Sequence, residues 1–205
     1  MKYLIIVLIF VYPLITKAQN YIPEKSIFLS GGLGIFQATS SEDIRAKYLP
    51  DILFQAGFGI PVINHLYFYN RISFRSKSDF TAYEQVESTN LLIQATASFS
   101  QLIYNSGLRY GIFISYDWAL AFSAGFTYSL VNQTVLTGNE TYQKLDNQSL
   151  YGYFGGVDLE HRLSDSNFAV FGEAQYNHIR SDYLYYKDKF SGMNLTAGIR
   201  FYLQK

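Results

Sequence analysis

Asp158 and Glu160 stand two residues apart in "GGVDLEHRL". On an extended chain such residues share a face. Two carboxylates side by side are one arrangement that general acid–base chemistry uses. His65, His161 and His178 are the only histidines, and histidine is the side chain best suited to moving protons near neutral pH. None of the three lies beside both a nucleophile and an acid in the expected topology, and no His-x-Ser element occurs. No group of residues has the convergent spacing of metal ligands, and the lack of cysteine removes thiol chemistry, disulfides and N-terminal lipid attachment. "GLGIF" and "GGVDLE" have no helix after them to make a phosphate loop. A cofactor is not expected.

The carboxylates have another reading. Asp117, Asp158, Glu160 and Glu173 fall on the parity of their strands opposite the apolar one, and so do Arg71, Arg75, Lys77 and Arg200. Four acids facing four bases inside a protein must pair. An internal salt-bridge network is therefore expected in place of a catalytic dyad.

These residues are positioned by strands. "GIFISYDWALAFSAGF" carries large apolar groups on even positions and Gly, Ser, Asp or Ala on most odd ones, a period of two and not of 3.6. The same alternation predicts strands near 26–39, 51–62, 66–80, 90–104, 108–130, 149–162, 167–182 and 190–203. The connections alternate long and short, with tight turns at "INH", "NSG" and "SDSN". This pattern predicts an all-β, eight-stranded antiparallel up-and-down transmembrane barrel, with short periplasmic turns and longer extracellular loops. An even strand count lets the last strand close on the first.

One face is apolar throughout: Ile27, Leu29, Leu33 and Ile35 in the first strand, Ile52 to Ile60 in the second, and Leu91, Ile93, Ala95, Ala97 and Phe99 in the fourth. The other holds glycines, amides and charges. A soluble eight-stranded carrier would turn the bulky face inward, which a narrow barrel has no room for. Lipid outside and a plugged, hydrogen-bonded lumen inside fit the volumes. Composition agrees, with 19 Tyr, 17 Phe and 16% charged residues against about a quarter in soluble domains. Sixteen bases balance sixteen acids, so no nucleic-acid signature is present.

The first residues, "MKYLIIVLIFVYPLITKAQN", have a basic start, an apolar run and a small residue before Gln19. Residues 1–18 are expected to be a cleaved signal peptide and 19–205 the barrel domain. Tyrosine mixed with Lys and Asp in "TYQKLDNQ" and "SDYLYYKDK" makes those loops candidates for contact with lipopolysaccharide or another surface ligand.

The Gln19 region, "NLLIQATASFSQLIY", "LRYGIFISYDWALAF", "YGYFGGVDLEHRL" and "MNLTAGIRFYL" together resemble the small outer-membrane β-barrel domain proteins of Bacteroidetes, the PorT-like group. The resemblance covers roughly residues 20 to 205 and transfers no catalytic residue. It implies a non-enzymatic protein of the outer membrane with a structural or assembly role. A binding or transport barrel and a lipid A-modifying enzyme are the alternatives. Thr196, Gly198, Phe201 and Leu203 resemble the terminal-strand signal read by the barrel assembly machinery, with Gln204 and Lys205 following the last apolar position.

Overall fold

The computed structural model describes residues 26–38, 51–86, 91–137, 142–163, 166–180 and 190–203. The expected signal peptide lies outside them. Eight strands follow in chain order: β1 (Ile27–Ala38), β2 (Asp51–Ile63), β3 (Leu66–Val86), β4 (Leu91–Phe113), β5 (Trp118–Thr137), β6 (Tyr142–Arg162), β7 (Phe168–Arg180) and β8 (Gly192–Leu203). Each is antiparallel to its neighbours, and β8 pairs with β1 to close the barrel. No helix occurs among the described residues.

The register sets the barrel's dimensions. Partner-to-partner steps from Phe168 pass through Phe201, Leu29, Phe58, Asn70, Ser106, Phe126 and Tyr153 and return to β7 at His178. The circuit has climbed ten residues, from 168 to 178, on one strand. A rise of ~3.3 Å per residue and a strand spacing of ~4.7 Å then give a tilt of about 41°. At that tilt the outward run from Trp118 to Tyr128 covers about 25 Å of height, the thickness of an outer-membrane apolar band.

Both margins of this band are aromatic. Tyr104, Tyr128 and Tyr151 sit side by side on β4, β5 and β6. At the other margin Trp118 stacks on His161 with ring centroids 4.5 Å apart. Between them Leu33, Phe54, Ile72, Phe122 and Ile199 are all exposed, and Phe126 is 80% exposed. Asn70 is the exception. It has the outward parity but is buried, and its Oδ1 accepts a hydrogen bond from the Tyr104 hydroxyl at 2.5 Å.

Two expectations are corrected. "NSG" at 105–107 is not a turn. β4 runs through it to Phe113, and the chain turns at 114–117, where the Ile114 amide donates to the Trp118 carbonyl at 2.9 Å. Gly107 serves close approach instead: opposite Gly125, any Cβ on it would collide with the Ala124 carbonyl oxygen. One continuous strand carries one parity, set by exposed Leu102, Tyr104, Leu108 and Tyr110, so Phe99 points into the lumen and not outward. Second, most of 81–90 and of 131–148, expected as loops, is paired strand. β3 and β4 stay paired up to Val86↔Leu91, across a register shift between Lys77 and Phe80, and β5 and β6 up to Leu136↔Tyr142, across one between Val131 and Gln133. A continuing ladder satisfies backbone groups that a loop would leave to water.

The end bearing Asn64–His65, 114–117, Leu163 and 166–167 is the turn end; the other is the loop end. His65, in the turn between β2 and β3, takes the left-handed conformation, φ 65°, beside the register shift between Pro61 and Ile63.

Candidate functional site: a plugged lumen

The lumen is filled in tiers. Nearest the turn end, Arg109 on β4 and Arg200 on β8 hold the two carboxylates of β6. Arg109 donates twice to Asp158, at 2.9 and 2.6 Å, and once to Glu160 at 3.2 Å. Arg200 donates to Asp158 at 3.1 Å and also to Glu160, which takes a further bond from the Tyr202 hydroxyl. The Phe28 ring lies against both guanidinium groups, 5.4 Å from Arg109 and 4.7 Å from Arg200, and packs on Tyr67 and Tyr202. Asp158 and Glu160 are thus neutralised by two cations each.

The middle tier is crossed by one strut. Arg71 on β3 reaches Glu173 on β7 at 2.6 Å, spanning strands four apart in a barrel of eight. Its other terminal nitrogen bonds Gln175, which donates to Asn177 at 2.8 Å. Thr127 donates to Asn105 at 2.8 Å.

At the loop end Arg75 and Lys77 converge on Asp51, at 2.8 and 2.9 Å. Arg75 also donates to Gln101 at 2.6 Å, and Gln101 to Ser129 at 2.9 Å. The Arg75 guanidinium lies 3.5 Å from the centre of the Phe36 ring and 4.9 Å from that of Phe99. Phe190, just before β8, is fully buried against Phe99.

Seven of the eight residues singled out from the sequence therefore face the lumen: Arg71, Arg75, Lys77, Asp158, Glu160, Glu173 and Arg200. Asp117 does not. It sits in the 114–117 turn, where its carbonyl accepts from the Arg162 amide at 2.7 Å. Misplacing that turn had put it in mid-strand. Arg109 and Asp51 were missed. Arg109 stood beside the expected turn, and Asp51 is the first residue of its strand; inward parity alone would have found both.

Gly198 meets Gly32 at the β8–β1 seam, where a Cβ would strike the Gly31 carbonyl oxygen. Thr196 faces the lumen, whereas Phe201 and Leu203 lie on the outward parity. The histidines are dispersed: His65 and His161 at the turn end, and His178 at the loop end on Tyr153. No cluster of potential metal ligands occurs among the described residues. Of the two candidate ligand loops, "SDYLYYKDK" falls outside the described residues and "TYQKLDNQ" is largely β6 backbone.

No protein-family model matches the sequence, and no curated protein matches it. Several solved structures do. The outer membrane protein OprG from Pseudomonas aeruginosa is similar at 10% identity, over 88% of this chain and 97% of that one, with a TM-score of 0.55. Ail, the attachment invasion locus protein of Yersinia pestis, is 10% identical over 87% of this chain and 97% of its own, with a TM-score of 0.52. Neisserial surface protein A is 14% identical over 85% and 96%, with a TM-score of 0.51. Identity so low speaks to fold alone. The chain has the closed eight-stranded antiparallel fold of small outer-membrane β-barrels.

Proposed function

We propose that this chain is a non-enzymatic integral protein of the outer membrane, exported through a signal peptide, with a structural or envelope-assembly role. The observation that carries the reading is the inversion of polarity. The outside is an apolar band of bilayer thickness with aromatic margins, and the inside is a paired, plugged network. Only lipid makes such an exterior favourable. The PorT-like group of Bacteroidetes is the family we assign on the sequence features above. The turn end then faces the periplasm and the loop end the cell exterior.

Asp158 and Glu160 are each held by two cations from other strands, which favours a structural role for the pair over a catalytic one. Lipid and lipopolysaccharide are the partners the outer face would meet. The barrel assembly machinery would read β8 through Thr196, Gly198, Phe201 and Leu203. The test is fractionation with a gel-mobility assay. Mature protein in the outer-membrane fraction, running at different positions before and after boiling, is expected; a soluble periplasmic protein with no heat-dependent shift would sink the proposal.

A further inference from the structure

The outer wall is not evenly filled. A cavity of about 660 Å³ lies against β5, β6, β7, β8 and β1, within the ~300–1,000 Å³ range of ligand sites. The register gives its course. Leu120, Leu159, Gly172, Ala197 and Leu33 pair in turn from β5 to β1 and make a single row across five strands. Beside it, on the loop-end side, Val157, Ala174, Leu195 and Ile35 make a second row. Both rows have the outward parity. Bulky, exposed Leu33, Val157, Leu159 and Leu195 surround a floor of Gly172, Ala174 and Ala197. Gly34, Glu173 and Thr196, of lumen parity, complete the lining. The packing of the chain does not require glycine at 172. A Cβ there would meet nothing within 4 Å, whereas one on Gly32, Gly107 or Gly198 would strike backbone. Glycine inside a strand weakens it, and often marks a place where a ligand approaches closely.

Depth in the wall narrows the choice of ligand. At a tilt of about 41°, each step from β5 towards β1 climbs ~3 Å, so the first row climbs about 12 Å over a length of ~19 Å. It begins at Leu120, two residues above Trp118 at the margin of the apolar band. The floor therefore lies in the middle of the band, away from headgroups and water. Its length compares with the ~15 Å that one leaflet of a ~30 Å hydrocarbon core gives a lipid chain. Lipid tails are as apolar as leucine, so no hydrophobic force holds a chain there. Close packing does, because atoms around an unfilled gap lose contacts. A second barrel would present a convex wall and reach the floor only with a projecting side chain. A flexible chain follows the floor along its length.

We propose that the wall from β6 to β1 is a lipid site, in which one acyl chain lies on the Gly172–Ala174–Ala197 floor and is held longer than the chains around the rest of the barrel. The inference rests on the barrel reading above and deepens it by naming where lipid is bound.

Four outward alanines serve as reporters. Ala174 and Ala197 belong to the floor, and Ala56 and Ala124 lie elsewhere on the wall; by the same steps all four sit within roughly 2 Å of one depth. The protein is placed at one copy per lipid nanodisc, with a small share of phospholipid carrying a nitroxide midway along one chain. Relaxation of the alanine methyls is read by NMR. Ala174 and Ala197 should relax faster than Ala56 and Ala124, on the order of threefold, since packing alone favours the site. Gly172→Leu fills the hollow, and should bring the floor pair down to the level of the other two with the heat-dependent gel shift retained. Equal relaxation of all four methyls in the parent would overturn the proposal, and this comparison needs no variant to fold. So would an enhancement that Gly172→Leu leaves in place. A hollow meant for a second copy would give the equal result, because each disc holds one barrel. Parent protein that enters no disc and shows no heat-dependent shift would overturn the barrel reading instead.

Discussion

Arg200 and Asp117 carry opposite lessons about a charge in a strand. Arg200 is buried between Asp158 and Glu160. Replacing it by Gln leaves two carboxylates on one remaining cation, Arg109. A loss of about 3–5 kcal/mol is expected in urea-induced unfolding, the usual cost of orphaning one partner of a buried pair. Asp117→Asn touches no lumen ion pair and should stay within roughly 0.5 kcal/mol of the parent. Equal losses for the two would place Asp117 back in the network. Gly198→Ala forces β8 away from β1 and should cost about 1–3 kcal/mol, the usual range for overpacking, even when folding into detergent without any assembly factor. Phe201→Ala lies on the outward parity and should fold in detergent yet insert poorly in cells; similar defects in both settings would deny it a signalling role. The charged interior was legible because inward parity and charge balance are written in the chain. Arg109 was hidden because it stood next to a turn that sequence alone placed wrongly, and Asp51 because it is the first residue of its strand.

At the level of the strand, alternation located all eight elements, since lipid on one side and a narrow lumen on the other demand a strict period of two. The exceptions have physical causes. Asn-Ser-Gly has turn chemistry, yet at 105–107 Asn105 is a buried partner of Thr127 and Gly107 lets β4 touch β5. Polar composition made 131–137 and 142–148 look like loop, but a hairpin standing beyond the bilayer needs no apolar face to keep its ladder. Amide hydrogen exchange separates the two readings of β4. Amides at Asn105, Ser106 and Gly107 should exchange as slowly as those flanking them, and those at Tyr116 and Asp117 quickly; the reverse order would restore the earlier turn. Inward phenylalanines had no signal in a lumen expected to be polar. Phe28, Phe154 and Phe171 lie over Gly59, Gly125 and Gly198, filling space that the glycines leave.

For the molecule as a whole, closure and polarity depend on each other. The β8–β1 seam removes both sheet edges, and a shear of ten residues sets a tilt at which the apolar band matches a bilayer. A lumen crossed by the Arg71–Glu173 strut and capped at both ends by ion pairs should carry no steady ionic current in planar membranes, and stepwise conductance from the unaltered protein would refute the plugged interior. The central claim, lipid outside and polar plug inside, is tested most directly by nitroxide labels at successive positions 52 to 58 of β2, a stretch without lumen ion pairs, in the protein reconstituted in vesicles. The expected result is oxygen accessibility that alternates, high at Ile52, Phe54, Ala56 and Phe58 and low at Leu53, Gln55 and Gly57. Accessibility of the opposite phase, or none that alternates, would contradict it.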